Sequence, residues 1–359
     1  MKASSLRVLN GLLALTAMAG PSGADTYFVK PDGSGDFPTI QAAIDAAVDG
    51  DVIELADGTY TGGGNRDMDY LGKAIAVRSQ SGNPTACIID YEGTSSEDHW
   101  GFRFYSGEGP GSTLEDVTVT NSAVFPDGFA VACGPLASPT IVGCMITRNE
   151  GWFGALVCTP TSSPTIADCV FFQNSGVYGG GFTSAGSPTL IRCTFVENEA
   201  GQGGGAFCEG DGSQHPRFVN CTFWRNRASE GAGLFVYSIN DGILVTVENT
   251  IIASNLVGTG VECYGETVDL FCCDVFGNEG GDWVGCIADQ PGINGNISED
   301  PLFCDAENRD FTLHADSPCA PFSPPNEDCD LIGAWPVACG KPTLTVATTW
   351  GQIKAQYRR

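Results

Sequence analysis

The chain has 359 residues, 48 of them glycine, with 17 Lys+Arg against 43 Asp+Glu and a formal net charge of −26. Abundant glycine and few basic residues argue against long surface helices and coiled coils. The acidity argues against nucleic acid and anionic lipid as partners, and against polyanionic glycans unless Ca²⁺ bridges the two.

Lys2 and Arg7, the apolar run Val8–Ala19 and the small residues Ser22-Gly23-Ala24 read as a secretory signal over 1–24, cut before Asp25. The run is too short to span a bilayer, and no later stretch exceeds it. The mature chain is therefore expected to be secreted or surface-associated, monomeric and without a transmembrane segment. Its oxidising surroundings would permit disulfides among the sixteen cysteines.

Residues 37–48 read as a short amphipathic cap helix, with Ile40, Ala43, Ile44 and Ala47 on one face and Pro38 in the first turn. The first strand is expected at Asp51 to Leu55.

From residue 116 onward one register recurs. Ile141-Val142-Gly143-Cys144-Met145-Ile146-Thr147-Arg148-Asn149 is the first clear copy, and three of the copies follow a Ser-Pro-Thr. Cys144, Cys169, Cys193 and Cys221 step in parallel with Asn149, Asn174, Asn198 and Asn226, at a period of roughly 25 residues. Thr250 with Asn255, and Cys273 with Asn278, continue the series; Asp116 with Asn121 begins it. A second ladder is read at Cys133, Cys158, Thr183, Cys208, Tyr237 and Cys263, several members following glycine clusters.

Short runs of Ile, Val, Phe and Thr without helical spacing are strands. The period is too short for propeller blades, and leucine is too scarce for leucine-rich repeats. An extended chain of one period covers roughly 80 Å, enough for one coil of a three-sided helix with strands about 4.8 Å apart. The fold class read from the repeat is all-β: a single-stranded right-handed parallel β-helix, a three-sided solenoid with an N-terminal helical cap. It is expected over 25–297, followed by closing rungs and a cysteine-containing region over 298–340. The tail 341–359 is read as a cap strand or helix with Trp350, Ile353 and Tyr357 on one face.

Within the solenoid, Cys144, Cys169, Cys193, Cys221 and Cys273 are expected as inward, stacked thiols rather than disulfides or zinc ligands, because parallel in-register side chains keep their Cβ atoms too far apart. Asn149, Asn174, Asn198, Asn226, Asn255 and Asn278 are expected at turns, bonding each other and adopting the left-handed backbone there. Cys304, Cys319, Cys329 and Cys339 lie outside the ladder and are the disulfide candidates.

Val29 to Gln41 resembles the opening of pectin methylesterases, and Asp57-Gly58-Thr59-Tyr60 resembles a first-rung turn of the pectin lyase-like superfamily. Asp300-Pro301-Leu302-Phe303, Ser317-Pro318-Cys319 and Leu331-Ile332-Gly333-Ala334 resemble the end of many bacterial secreted β-helix repeat proteins. Phe195-Val196-Glu197-Asn198 and Gly204-Gly205-Ala206 resemble the F-x-x-N and G-G-A repeats of polymorphic outer-membrane adhesins. The resemblance implies the fold and a secreted, adhesin-like or polysaccharide-directed role. The catalytic segments of pectin methylesterases and polygalacturonases are missing, and Lys30, Lys73, Lys341 and Lys354, the lysines of the mature chain, all avoid the central repeats where a pectate lyase would place its base.

Acid–base chemistry needs two groups converging on one bond. On the outward positions, Asp168 with Arg192 and Glu197 with Arg225 instead read as charge pairs between adjacent rungs. His99, His215 and His314 lie in separate regions with no nucleophile motif. Phe172, Trp224 and Phe276 share one outward position, where they form either a stacking platform for sugar rings or a surface covered by a loop. With Arg148, Glu197 and Arg225 they are the candidate ligand-binding residues. No catalytic or metal-binding set is readable and no cofactor is implied, although the acidity admits Ca²⁺. The expected function is a non-catalytic β-helix for adhesion or carbohydrate binding, with a glycan or cell-surface ligand; the alternative is a divergent polysaccharide lyase or esterase.

Overall fold

The computed structural model describes residues 23–94, 99–123, 129–238, 242–265 and 268–340. The expected secretory signal lies outside these residues except for Gly23 and Ala24, and the tail 341–359 lies outside them entirely.

Each period folds as one coil of a right-handed parallel β-solenoid. Its strands stack into three faces of ten, nine and eight strands, called faces 1, 2 and 3 in chain order. Face 1 runs from Thr26–Val29 to Val268–Phe271, face 2 from Gly58–Tyr60 to Asp274–Phe276, and face 3 from Met68–Asp69 to Val261–Tyr264. A four-stranded extension, Ser175–Tyr178 to Leu256–Val257, bulges out between faces 2 and 3. Thr26–Val29 pairs in parallel with Val52–Leu55, so the first strand precedes the cap helix instead of following it.

Side chains alternate in and out along each strand, and the in-register pairing stacks like on like. Phe171, Phe195 and Phe223 stack face to face inside face 2, with centroids 4.6 and 4.5 Å apart and rings 7° and 5° from parallel. Leu114, Ile141, Ile166, Leu190 and Phe218 form the matching column of face 1 and are fully buried.

Two sharp corners flank face 2, and each is made by one residue with a left-handed backbone. Gly143, Asp168, Arg192, Asn220, Asn249 and Cys272 turn the chain into face 2, with φ between 48° and 63°. Arg148, Gln173, Glu197, Arg225 and Ser254 turn it out, with φ between 51° and 55°. The left-handed residue is thus the one before each ladder asparagine and not the asparagine itself. The asparagine is inside, where its amide has two tasks. Asn149, Asn174, Asn198, Asn226 and Asn255 each donate from Nδ2 to Oδ1 of the next, at 2.8–3.1 Å. The same Oδ1 atoms accept the preceding asparagine's backbone N–H. The column ends where Asn278 Nδ2 meets Asp282 Oδ1 at 2.8 Å. Its first two members differ from the sequence reading by one residue: Val117 and Ser122, not Asp116 and Asn121, stand in register with Cys144 and Asn149.

The ladder thiols are free and buried, and each donates to backbone carbonyls, as Cys169 Sγ does to Ala167 O at 3.3 Å. Burial pushes Cys144, Cys169 and Cys193 well above the usual thiol range, and Cys273 up to about 12, which removes the thiolate that redox or metal chemistry needs.

Helix α1 (Ile40–Ala46) covers the N-terminal end, with Ile40, Ala43 and Ile44 buried and Thr39 as N-cap, its hydroxyl accepting from Ala42 N at 3.2 Å. Pro38 precedes the cap instead of occupying the first turn. At the other end the turn Gly285–Ile287 buries Ile287 and is held to face 3 by the Cys263–Cys286 disulfide.

Residues 298–340 add no rung. Phe303–Asp305 and Asp310–His314 form an antiparallel pair, Val337–Cys339 joins it, and this separate three-stranded sheet lies back over the outside of face 2. The cover is apolar: Leu313, Cys319 and Ile332 pack on Ile251 and Ala253, and Phe311 packs on Val196 and Trp224. Trp335 Nε1 donates to Thr194 Oγ1 at 2.8 Å, across 141 residues of sequence. Cys304 is bonded to Cys339, and Cys329 to Cys272 at the corner of the solenoid. Cys319, the fourth disulfide candidate, is a free thiol beside Asp274.

Candidate functional site

Phe172 and Trp224, two of the three members of the aromatic column anticipated on face 2, lie beneath this cover. Trp224 is 4% exposed and meets Phe311 edge-on at 5.3 Å. Phe172 is half-buried under the Arg309 guanidinium, 4.2 Å from its centroid. Phe276 is half-buried two coils beyond Trp224. Of the two charge pairs expected between rungs, Arg192 grips Asp168 with both nitrogens at 2.7 and 2.9 Å. Glu197 and Arg225 do not pair: the left-handed corners aim both at the cover, where Glu197 meets Arg309 at 3.6 Å and Arg225 bonds Glu307. Arg148 is exposed at its corner, on the coil before Phe172. Of the candidate residues, Phe172, Trp224, Glu197 and Arg225 therefore dock the C-terminal segment. A cavity of about 440 Å³ remains at its margin, lined mainly by Met145, Val170, Phe172, Val196, Phe311 and Trp335.

Face 3 is different. Its strands point Phe207 and Glu209, then Phe235 and Tyr237, then Glu262 and Tyr264 outward, while Ala206, Cys208, Leu234 and Val236 point in. The extension beside it brings Tyr178 and Gln202 over the same surface. Glycine makes this return possible: a Cβ on Gly205 would stand 2.6 Å from Gly233 O and 2.7 Å from Phe223 Cδ1. The resulting cleft, about 400 Å³, is lined by Phe153, Tyr178, Gln202, Phe207, Glu209 and Tyr237.

Rings from successive coils meet along it. Phe153 stacks on Tyr178 at 6.0 Å, Tyr178 meets Phe207 at 5.3 Å, Phe207 stacks on Phe235 at 5.5 Å, and Phe235 meets Tyr264 at 5.9 Å. Phe207 and Phe235 are the buried floor, whereas Tyr237 and Tyr264 are 38% and 53% exposed. The polar groups differ in freedom. Gln202 Nε2 donates to Glu230, and Glu262 accepts from Gly231 N at 2.9 Å and Thr259 Oγ1 at 3.3 Å. Among the described residues no hydrogen bond or ion pair reaches the Glu209 carboxylate, and partial burial alone raises it above the usual carboxylate range. No group of three His, Cys, Asp or Glu side chains is placed to hold a metal ion among the described residues.

None of the cleft residues was singled out from sequence as a ligand contact. For Tyr237 the reason is a one-residue slip in the second ladder. Ser184 and Val236, not Thr183 and Tyr237, stand in register with Cys158 and Cys208. A shift of one residue exchanges inside for outside, so Tyr237, read in one ladder with the buried Cys158 and Cys208, faces solvent instead. The usable signal was an aromatic recurring beside each glycine cluster: Tyr178, Phe207 and Phe235.

The family description "Right handed beta helix region" matches residues 65–223. Among solved structures, that of pectate lyase Pel9A superposes with a TM-score of 0.54 at 15% identity, covering 88% of this chain and 97% of that one. Pectin methylesterase from carrot gives a TM-score of 0.41 at 13% identity, covering 82% and 92%. No curated protein sequence matches.

Proposed function

Starting from a chain with the pectin lyase-like right-handed parallel β-helix fold, we propose that it is a secreted or surface-associated glycan-binding protein whose ligand lies in the face 3 cleft. The observation that carries this reading is the run of rings from Phe153 to Tyr264, open to solvent through Tyr237 and Tyr264 and edged by Gln202 and Glu209. Aromatic faces stack on the C–H surfaces of sugar rings, and carboxylate and amide groups beside them take the hydroxyls. Three disulfides suit an oxidising compartment.

Binding without turnover is favoured over the lyase or esterase reading by the state of the acids. General acid–base catalysis needs a second group free to act beside Glu209, and the neighbouring Glu230 and Glu262 are engaged in hydrogen bonds. A glycan array run beside product-release assays on pectin, alginate and xylan tests both readings. Binding weakened roughly tenfold or more by Tyr237→Ala, with no released product, is the expected result. Chain cleavage would establish the enzyme reading instead.

A further inference from the structure

Resting on that reading, we infer that the cleft takes a neutral, linear glycan and rejects uronate polymers. The first observation is charge. Glu209 is a partly buried carboxylate on the cleft wall with no partner among the described residues, Glu230 is bonded to the lining Gln202, and Glu262 lies one coil further on. Among the described residues no Lys or Arg lines the cleft. Five arginines of the neighbouring coils are paired elsewhere: Arg192 with Asp168, Arg217 with Glu248, Arg225 with Glu307, Arg227 with Glu199 and Arg309 with Glu197. A uronate chain would set a carboxylate against Glu209 with no cation between them, on a protein of net charge −26. Like charges in a partly desolvated site repel strongly. A neutral sugar meets the opposite situation, because two adjacent hydroxyls can donate to the two Glu209 oxygens in charge-assisted hydrogen bonds.

The second observation is shape. The rings come from five successive coils, so the run extends along the solenoid axis for roughly 20 Å at one strand spacing per coil, with Phe207 and Phe235 buried beneath it and Tyr237 and Tyr264, in register on adjoining coils, open to solvent. A linear chain lying along that axis covers it, whereas a branched glycan meets the raised extension carrying Tyr178 and Gln202. Affinity should rise with oligomer length until the platform is spanned, then level off.

Titration calorimetry on the full chain with xylo-, cello- and manno-oligosaccharides, and with oligogalacturonates in EDTA and in Ca²⁺, separates the outcomes. At least one neutral series should bind, oligogalacturonates should not in either condition, and Glu209→Gln should weaken the neutral ligand roughly 10- to 100-fold while narrowing the discrimination against uronates. Wild-type preference for oligogalacturonate, with or without Ca²⁺, would overturn the inference even if Tyr237→Ala abolished that binding, and the glycan-binding reading would then survive it. Unchanged binding in Tyr237→Ala would remove the site itself, and this inference with it.

Discussion

Faces 2 and 3 carry the same kind of outward side chain and meet opposite fates. Face 2 displays Phe172, Trp224 and Phe276 at one register position. Face 3 displays Phe207 and Phe235, then Tyr237 and Tyr264, at two. On face 2 the chain returns after residue 297 and seals Phe172 and Trp224 into a second apolar layer. On face 3 nothing among the described residues closes over Tyr237 and Tyr264. A solenoid thus makes outward columns of apolar residues readily, and what lies on top of a column decides whether it is a core or a binding surface.

Substitutions can break this contrast, and the largest effect belongs to the covered face. Trp224→Ala should cost about 3–5 kcal/mol of stability, the range for emptying a buried aromatic site, and leave glycan affinity unchanged, as thermal unfolding and calorimetry on one sample would show. Lost binding without lost stability would reverse the roles given to the two faces.

Next is Asp274, buried between face 2 and the cover, where it accepts from Cys319 Sγ at 3.2 Å and Glu299 N at 3.1 Å. Burial, ahead of the nearby Asp282 and Glu299 charges, raises it from 3.8 to about 7. The fold prefers the neutral acid, so its contribution to stability is complete below pH 3.8 and is lost as pH rises toward about 7. Asp274→Asn should therefore stabilise the protein by up to about 4 kcal/mol above that window and by almost nothing below it. Denaturant titrations at both ends of the window would show a gap that widens with pH; a constant gap would contradict the assignment.

The Cys272–Cys329 disulfide pins the cover to the corner of the solenoid and spans 57 residues of sequence. Replacing both cysteines by serine should cost about 2–4 kcal/mol and speed proteolysis within 298–340 before the coils themselves are cut. On the open face, Tyr237→Ala should change stability by less than about 0.5 kcal/mol, its effect falling on ligand affinity instead.

What the sequence disclosed follows the same division. The coils were legible because Cys144, Asn149 and their successors repeat a local pattern, and each inward residue meets its own counterpart on the next coil. A covering loop was one of the two readings open for Trp224, but the segment that supplies it was not legible, because contacts such as Trp335 with Thr194 join segments 141 residues apart and leave no periodic trace. Trp224 reads as a solvent-facing aromatic in every local sense. Tyr237 was lost to a slip of one position, where glycine clusters and changes of loop length between coils blur the alternation that was unambiguous beside the asparagines. The same local view placed the left-handed backbone on Asn198, although Glu197 adopts it, because asparagine is the residue with the higher intrinsic tolerance; the ladder instead uses the amide for its two-sided hydrogen bonding.

That ladder has a direction. Every amide from Asn149 to Asn278 points one N–H toward the C-terminal end and its C=O toward the N-terminal end, while the second N–H donates to a backbone carbonyl of the preceding coil. Side-chain dipoles lined up in this way add, as peptide dipoles do along an α-helix. Asp282 sits at the positive end of the column, its carboxylate accepting from the backbone N–H groups of Gly277 and Asn278 as well as from the last amide. It plays the part an acidic N-cap plays for a helix. A further coil stacked there would have to displace a full negative charge with a neutral amide, so the polar column as well as the apolar core tells the solenoid where to stop.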